Sequence, residues 1–468
     1  MSRAKRIAAL VVVSTGLWPV IAMAAAPEQE RSRVPLLSDA ECWKRLPTEK
    51  GGDQPLPSWA RALAGAIPRT TAALLRVDFV HRAHSPLDPK LRAAMRWVAA
   101  HANHCTYSED YALFDARRAG LDDAAVAALG QGHSSSESPA VQAALEFARK
   151  MTVDPASVTD EEFAALVKHH GEKNVVAMVQ LMAWANFQDR LVLCLGSPME
   201  SSGPLPPLDL VFTPGFLITR QPASGQGQAP QKVPSAPGAG KDLVEDDTEW
   251  TRISYEELQA RLERQRSRST RLRVPTWKEV ERALPPGFMW PNRVVWNLVC
   301  LGYQPELGGA WETYLRTSSI ETAAEMNRTF AQSLFWVTTR AINCSYCMGH
   351  CEMGLELAGL NKLEIAGRTR LLAGDDWSSF PAEEQRAYAF ARKLTKTPWT
   401  VSAEDMGSLL HDFGPKKGVI VLVAACRGHY MTRISNGFQL ELERDNVFRD
   451  WQPKAPAPGE PGTRAPIR

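Results

Sequence analysis

Residues 343–352 read Asn343-Cys344-Ser345-Tyr346-Cys347-Met348-Gly349-His350-Cys351-Glu352. Cys344 and Cys347 stand three apart in a stretch of helical character. That spacing puts both sulfurs on one helix face about one turn apart, with His350 a further turn along. Sulfurs so placed can close a small disulfide, share a metal, or serve as attacking and resolving thiols. A helix start and a nearby imidazolium favour thiolate, so the pair is expected to carry a lowered pKa. A thiolate attacks a peroxide oxygen and becomes a sulfenic acid, and a neighbouring thiol then displaces water and closes a disulfide.

A second copy of the pattern lies upstream. His104-Cys105-Thr106-Tyr107-Ser108 runs to Ala119-Gly120-Leu121, as Asn343-Cys344-Ser345-Tyr346-Cys347 runs to Ala358-Gly359-Leu360; in both, the first cysteine precedes the Ala by 14 residues. Phe147-Ala148-Arg149-Lys150 matches Phe390-Ala391-Arg392-Lys393, and each Phe is followed 43 residues later by an arginine, Arg190 and Arg433. Matching without gaps over that span reads as a tandem duplication.

Between the copies, residues 221–241 are Pro, Gly, Ala, Ser and Gln with almost no large apolar side chain, which marks a linker and predicts separate lobes on its flanks. The expected organisation is a signal peptide at 1–24, an N-terminal extension at 25–51, a first domain at 52–215, a linker at 216–250, a second domain at 251–447 and a disordered tail at 448–468. The start carries Arg3, Lys5 and Arg6, an apolar run from Ile7 to about Ala22, and small residues at Ala22-Met23-Ala24, so a secreted or periplasmic protein is expected. No later stretch is long and apolar enough to span a bilayer. Net charge is +2, from 54 basic and 52 acidic residues, which gives no ground for a nucleic-acid or membrane partner.

Apolar pairs at Val175-Val176, Met178-Val179 and Leu181-Met182, and helix stops at Gly171 and Gly414, predict an all-α chain. The run Val419 to Val423 is β-branched enough for a buried strand, but its repeat partner is rich in Met, Gln and Ala and reads as helix. Trp277, Trp290, Trp296 and Trp336 read as core.

On these residues the chain resembles the carboxymuconolactone decarboxylase/alkylhydroperoxidase D family, with both lobes as copies of its domain and the thiol pair only in the second. The resemblance implies an all-helical fold and an oligomer built through helical faces. Its thiol-peroxidase branch carries a Glu, eleven residues, then Cys-x-x-Cys-x-x-x-His. By that pattern Cys347 attacks, Cys344 resolves and a histidine relays protons. The implied activity is reduction of a hydroperoxide with an external thiol or dithiol as reductant and no cofactor. The sequence departs from the pattern at two places. Gln332 stands at the glutamate position and cannot relay a proton as a carboxylate does. Cys351 stands at the histidine position, which leaves His350, one residue earlier, as the expected helper and Glu352 as a substitute carboxylate. In the first lobe Ser108, Tyr111 and Ala93 fill the second-cysteine, His350 and glutamate positions, so that lobe is expected to be silent and retained for packing.

Other readings stay open. Cys426-Arg427-Gly428-His429 is a Cys-x-x-His pair, and with Cys344 and Cys347 it would complete a tetrahedral zinc set; His429 is otherwise a pocket polar group. The rival to the enzyme is a secreted helical scaffold with structural or zinc-binding cysteines. His101 and His104 could mark a metal or residual pocket. Cys351 reads as a packed thiol, and Arg190 and Arg433 each as the cation of a structural ion pair rather than a substrate clamp. Cys42, Cys194 and Cys300 receive no role.

Overall fold

The computed structural model describes residues 32–49, 54–130, 138–211, 250–284 and 294–449. The expected signal peptide and the linker core at 221–241 lie outside the described residues, as does the tail from residue 450 onward.

Regular structure among the described residues is helical throughout. The first lobe comprises α1 (Asp39–Arg45), α2 (Ser58–Leu63), α3 (Pro68–Phe79), which runs on into a π-helical turn at Val80–His84, α4 (Pro89–Ala102), α5 (Thr106–Arg118), α6 (Asp123–Gly130), α7 (Pro139–Val153), α8 (Asp160–His170) and α9 (Glu172–Leu195). The second comprises α10 (Tyr255–Arg266), α11 (Trp277–Ala283), α12 (Val295–Tyr303), α13 (Pro305–Thr322), α14 (Arg328–Ala341), α15 (Ser345–Leu357), α16 (Lys362–Ala373), α17 (Ala382–Lys396), α18 (Ala403–Phe413) and α19 (Pro415–Phe438).

The two series run in step. α4 and α14 have 14 residues each, α5 and α15 have 13, α7 and α17 have 15, α8 and α18 have 11, and α9 and α19 have 24. Local chemistry sets the matching ends. Capping boxes at Thr159/Glu162 and Ser402/Asp405 open α8 and α18. Gly171 (φ 77°) and Gly414 (φ 76°) close them in a conformation that side chains with a Cβ resist. The Val419–Val423 run lies inside α19, as its repeat partner indicated.

The lobes are not separate. α9 packs on α19 and α3 on α13, and one continuous core runs through both halves. Both 24-residue helices are buried on nearly every side, which requires that other helices enclose them. Linker composition cannot report this, because it describes only the connection.

Contacts across the lobes are reciprocal. Arg190 donates from Nε to the carbonyl of Leu394 (3.2 Å) and from Nη2 to that of Thr395 (3.3 Å). Arg433 donates from Nε to the carbonyl of Met151 (3.2 Å) and from Nη2 to that of Thr152 (3.0 Å). The expected ion pair at these arginines is therefore replaced by bonds to backbone carbonyls of the opposite lobe. Glu321, at the end of α13, accepts from the amides of Arg69 (3.0 Å) and Thr70 (2.7 Å) at the start of α3. In return Glu306, at the start of α13, meets His84 Nδ1 at 2.5 Å where the π turn ends. Contacts of residue i with j and of j with i are the mark of a two-fold relation.

The ends of the lobes reach beyond the composition boundaries. Trp250, placed in the linker by composition, is buried, and its indole donates to the carbonyl of Gly374 (2.8 Å). In the N-terminal extension Cys42 and Trp43 are buried, and Arg33 donates to the carbonyls of Leu193 and Cys194, satisfying the exposed end of α9. Trp296 and Trp336 are core, Trp277 is half-buried, and Trp290 lies outside the described residues.

Candidate active site

The turn between α14 and α15 sets the thiol pair. Asn343 takes a left-handed conformation (φ 55°), which Asn tolerates better than most residues, and His104 does the same in the first lobe (φ 52°). The chain then re-enters helix with Cys344 as the N-cap. Its sulfur accepts from the amide of Cys347 at 3.4 Å, so Cys344 does the work usually given to Ser or Asp. On its other side Cys347 lies 3.2 Å from the hydroxyl of Ser435 on α19.

The lowered thiol pKa expected from the helix start is overturned for Cys347. Burial pushes it well above the usual thiol range, Cys344 pushes it further, and Ser435 opposes weakly. With the sulfur 2% exposed, the loss of solvation outweighs the helix terminus. Cys351 is fully buried and also pushed up by burial, consistent with a packed thiol.

His350 turns toward the segment after α19. Its Nε2 lies 2.8 Å from Glu443 Oε2, and the Tyr346 hydroxyl donates to Glu443 Oε1 at 3.0 Å. The amide of Val295 also donates to that carboxylate (3.0 Å). Tyr346 and Phe448 flank the imidazole, with ring centroids 4.2 and 5.0 Å away; Phe448 thus packs on the site, although the sequence assigned it to a disordered tail. A carboxylate-held imidazole therefore sits one turn from Cys347 on the same helix.

Glu443 is the residue that sequence reading missed, and a signal for it existed. Glu200 precedes it by 243 positions, the same offset that relates Arg190 to Arg433. In the first lobe Glu200 accepts from the hydroxyls of Tyr107 (2.6 Å) and Tyr111 (2.9 Å) and from the amide of Ser58 (2.8 Å). Ser435 had no such signal, since its counterpart is Val192.

The other expected residues fall elsewhere. Gln332 packs on Gly354, where an added Cβ would meet its Cδ at 2.4 Å, about two turns beyond Cys347. Glu352 accepts from Gln259 on α10 (3.0 Å), away from the thiols. The zinc set does not assemble: among the described residues no group of three or more His, Cys, Asp or Glu side chains is placed to hold a metal. His429 spends Nδ1 on Arg433 (2.9 Å) and Nε2 on Thr395 (3.3 Å), at the junction between lobes. Cys426 lies on the same helix, three residues before His429. His101 pairs with Glu109 (2.9 Å) at the surface and His104 meets the edge of Trp399. Cys105 donates to Ser108 (3.3 Å), a thiol and a hydroxyl where the second lobe has two thiols.

A family model described as the carboxymuconolactone decarboxylase family matches residues 68–150, from Pro68 at the start of α3 to Lys150 in α7. Over these residues the chain is similar to the carboxymuconolactone decarboxylase family. No curated protein matches the chain. The matched segment is the lobe without the thiol pair, and α13 to α17 of the second lobe repeat its helices in the same order. The family is helical and includes enzymes, in agreement with the fold.

Proposed function

We propose that the second lobe is a dithiol peroxidase that reduces hydroperoxides. The observation that carries this reading is the seating of Cys344 at the start of α15, its sulfur accepting from the amide of Cys347, with an imidazole–carboxylate pair one turn further along the helix. Cys347, once deprotonated, attacks the terminal oxygen of the hydroperoxide. An S–O bond forms, the O–O bond breaks, and the departing alkoxide takes up a proton to leave as alcohol. Cys344 then attacks the sulfur of the sulfenic acid. The S–S bond forms, the S–O bond breaks, and hydroxide leaves as water with the proton from Cys344. The His350–Glu443 pair accepts the first proton and returns it to the leaving group. An external dithiol reopens the disulfide. The export expected from the N-terminal sequence places this chemistry outside the cytoplasm.

Thiol titration with mass spectrometry, before and after one equivalent of hydroperoxide, tests the reading. Cys344 and Cys347 are expected to begin reduced and to convert to a mutual disulfide. Cys347→Ser abolishes peroxide consumption, Cys300→Ser leaves it intact, and His350→Gln slows it roughly a hundredfold. Burial of all eight sulfurs favours the rival reading, a helical scaffold of packed thiols. Inert thiols in the same titration would establish that one.

A further inference from the structure

The first lobe, silent by its missing cysteine, contains a cavity of its own. It lies between the π turn, α4, α5 and α9, and encloses about 480 Å³ of empty space including its solvent-facing mouth. Ser108 and Tyr111, the counterparts of Cys347 and His350, line one side. His81 lines another. It is fully buried against Trp184, and neither ring nitrogen has a hydrogen-bond partner. π-Helical turns such as the one that carries His81 recur at functional sites.

The hydrogen-bonding capacity left over in this cavity is almost all donor. Asp115 is consumed by Arg82, through Nε (2.7 Å) and Nη2 (2.8 Å). Asp78 is consumed by Arg82 and by Gln188, both at 3.2 Å. Arg96 gives Nη2 to Asp189 and Gln188, but its buried Nη1 has no partner. Arg92 lines the cavity with no carboxylate partner among the described residues. His81 is held neutral, its pKa pushed down to about 3 by burial with Arg92 and Arg96 adding to it, and so offers one N–H and one lone pair.

The second lobe builds the same helices without these groups. Counting from Pro68 and Pro305, and then from the cysteines, Asp78, Arg82, Arg92, Arg96 and Asp115 become Leu315, Ser319, Ala331, Phe335 and Gly354. His81 becomes Ser318, and Gln332 fills the Ala93 position and packs over Gly354. The fold therefore does not require the charges. Burying them is costly unless something answers them.

We propose that this cavity is a binding site for a small carboxylate, which Arg92 and Arg96 hold with His81 donating to it. A carboxylate supplies two acceptor oxygens for the donors that Arg92, Arg96 Nη1 and His81 leave unused, and a charge to face Arg92, since Asp78 and Asp115 are taken by Arg82 and Asp189 by Arg96. Only about 30 Å³ of that space admits the centre of a water molecule, which is room for an acid of about acetate size. This site is independent of the dithiol and survives if the peroxidase reading fails.

Calorimetric titration of the full chain with sodium acetate at constant ionic strength tests it. Saturable binding of one acetate per chain is expected, weakened at least about tenfold by Arg92→Gln, whose half-exposed side chain can be replaced without disturbing the core. His81→Phe, which puts an apolar ring against Trp184, abolishes binding with the thermal transition retained, and Cys347→Ser leaves it unchanged. Absence of saturable binding, or equal affinity in the Arg92 and His81 variants, overturns the proposal. Inorganic phosphate binding as tightly as acetate overturns the carboxylate class.

Discussion

Glu443 shows how one side chain organises the candidate site. Burial pushes its carboxyl up, and the hydrogen bond and charge of His350 more than offset this, leaving it below the ordinary glutamate value of 4.5. A carboxyl depressed in the fold stabilises fully above its unfolded pKa, and that contribution is lost as pH falls through the folded value. Glu443→Gln is therefore expected to cost about 1–3 kcal/mol near neutral pH, with the gap to the parent protein closing in acid below about pH 4.5. Urea denaturation across that range measures it, and a gap that stays constant would refute the role. The cysteines and His350 were legible from spacing alone. Glu443 was not singled out because it lies in irregular chain with no periodicity, and only the repeat offset points to it. The raised thiol pKa of Cys347 was illegible for another reason: sequence shows the helix start but not how completely α19 covers it.

At the scale of elements, α15 is held by a strap, the irregular chain 439–449 that follows α19. Leu442 is fully buried against Gly349, where an added Cβ would come within 2.4 Å of Leu442 Cδ2. Asn446 donates to the carbonyl of Met353 (2.9 Å) and to Glu356 (2.7 Å) further along the same helix. Gly349→Ala is expected to destabilise by about 1–3 kcal/mol, since an overfilled core has to shift. Combining it with Leu442→Ala should cost less than the sum of the two single changes, as neighbours in contact do. Additive losses in a denaturation cycle would show that the strap is not seated as described. Helix ends were well legible, because Gly171, Gly414 and the capping residues are local signals. The strap was not, because its fit depends on which glycine lies beneath it.

At the scale of the molecule, the junction of the lobes decides how the chain unfolds. Arg190 and Arg433 are buried, and each satisfies two carbonyls of the opposite half. Arg433→Met leaves those acceptors bare and is expected to cost about 3–5 kcal/mol, in the range for breaking a buried charged contact. The parent chain should melt in one calorimetric transition, and two resolved transitions would contradict a shared core. The reciprocity of this junction has a further consequence. Two identical subunits about a two-fold axis receive every substitution twice, so a change that helps one site is imposed on its twin. A chain that spells out both halves receives each substitution once. One half can then keep a pair of sulfurs while the other sets a serine at one of those positions and brings arginines in beside it, and neither has to tolerate the chemistry of its neighbour.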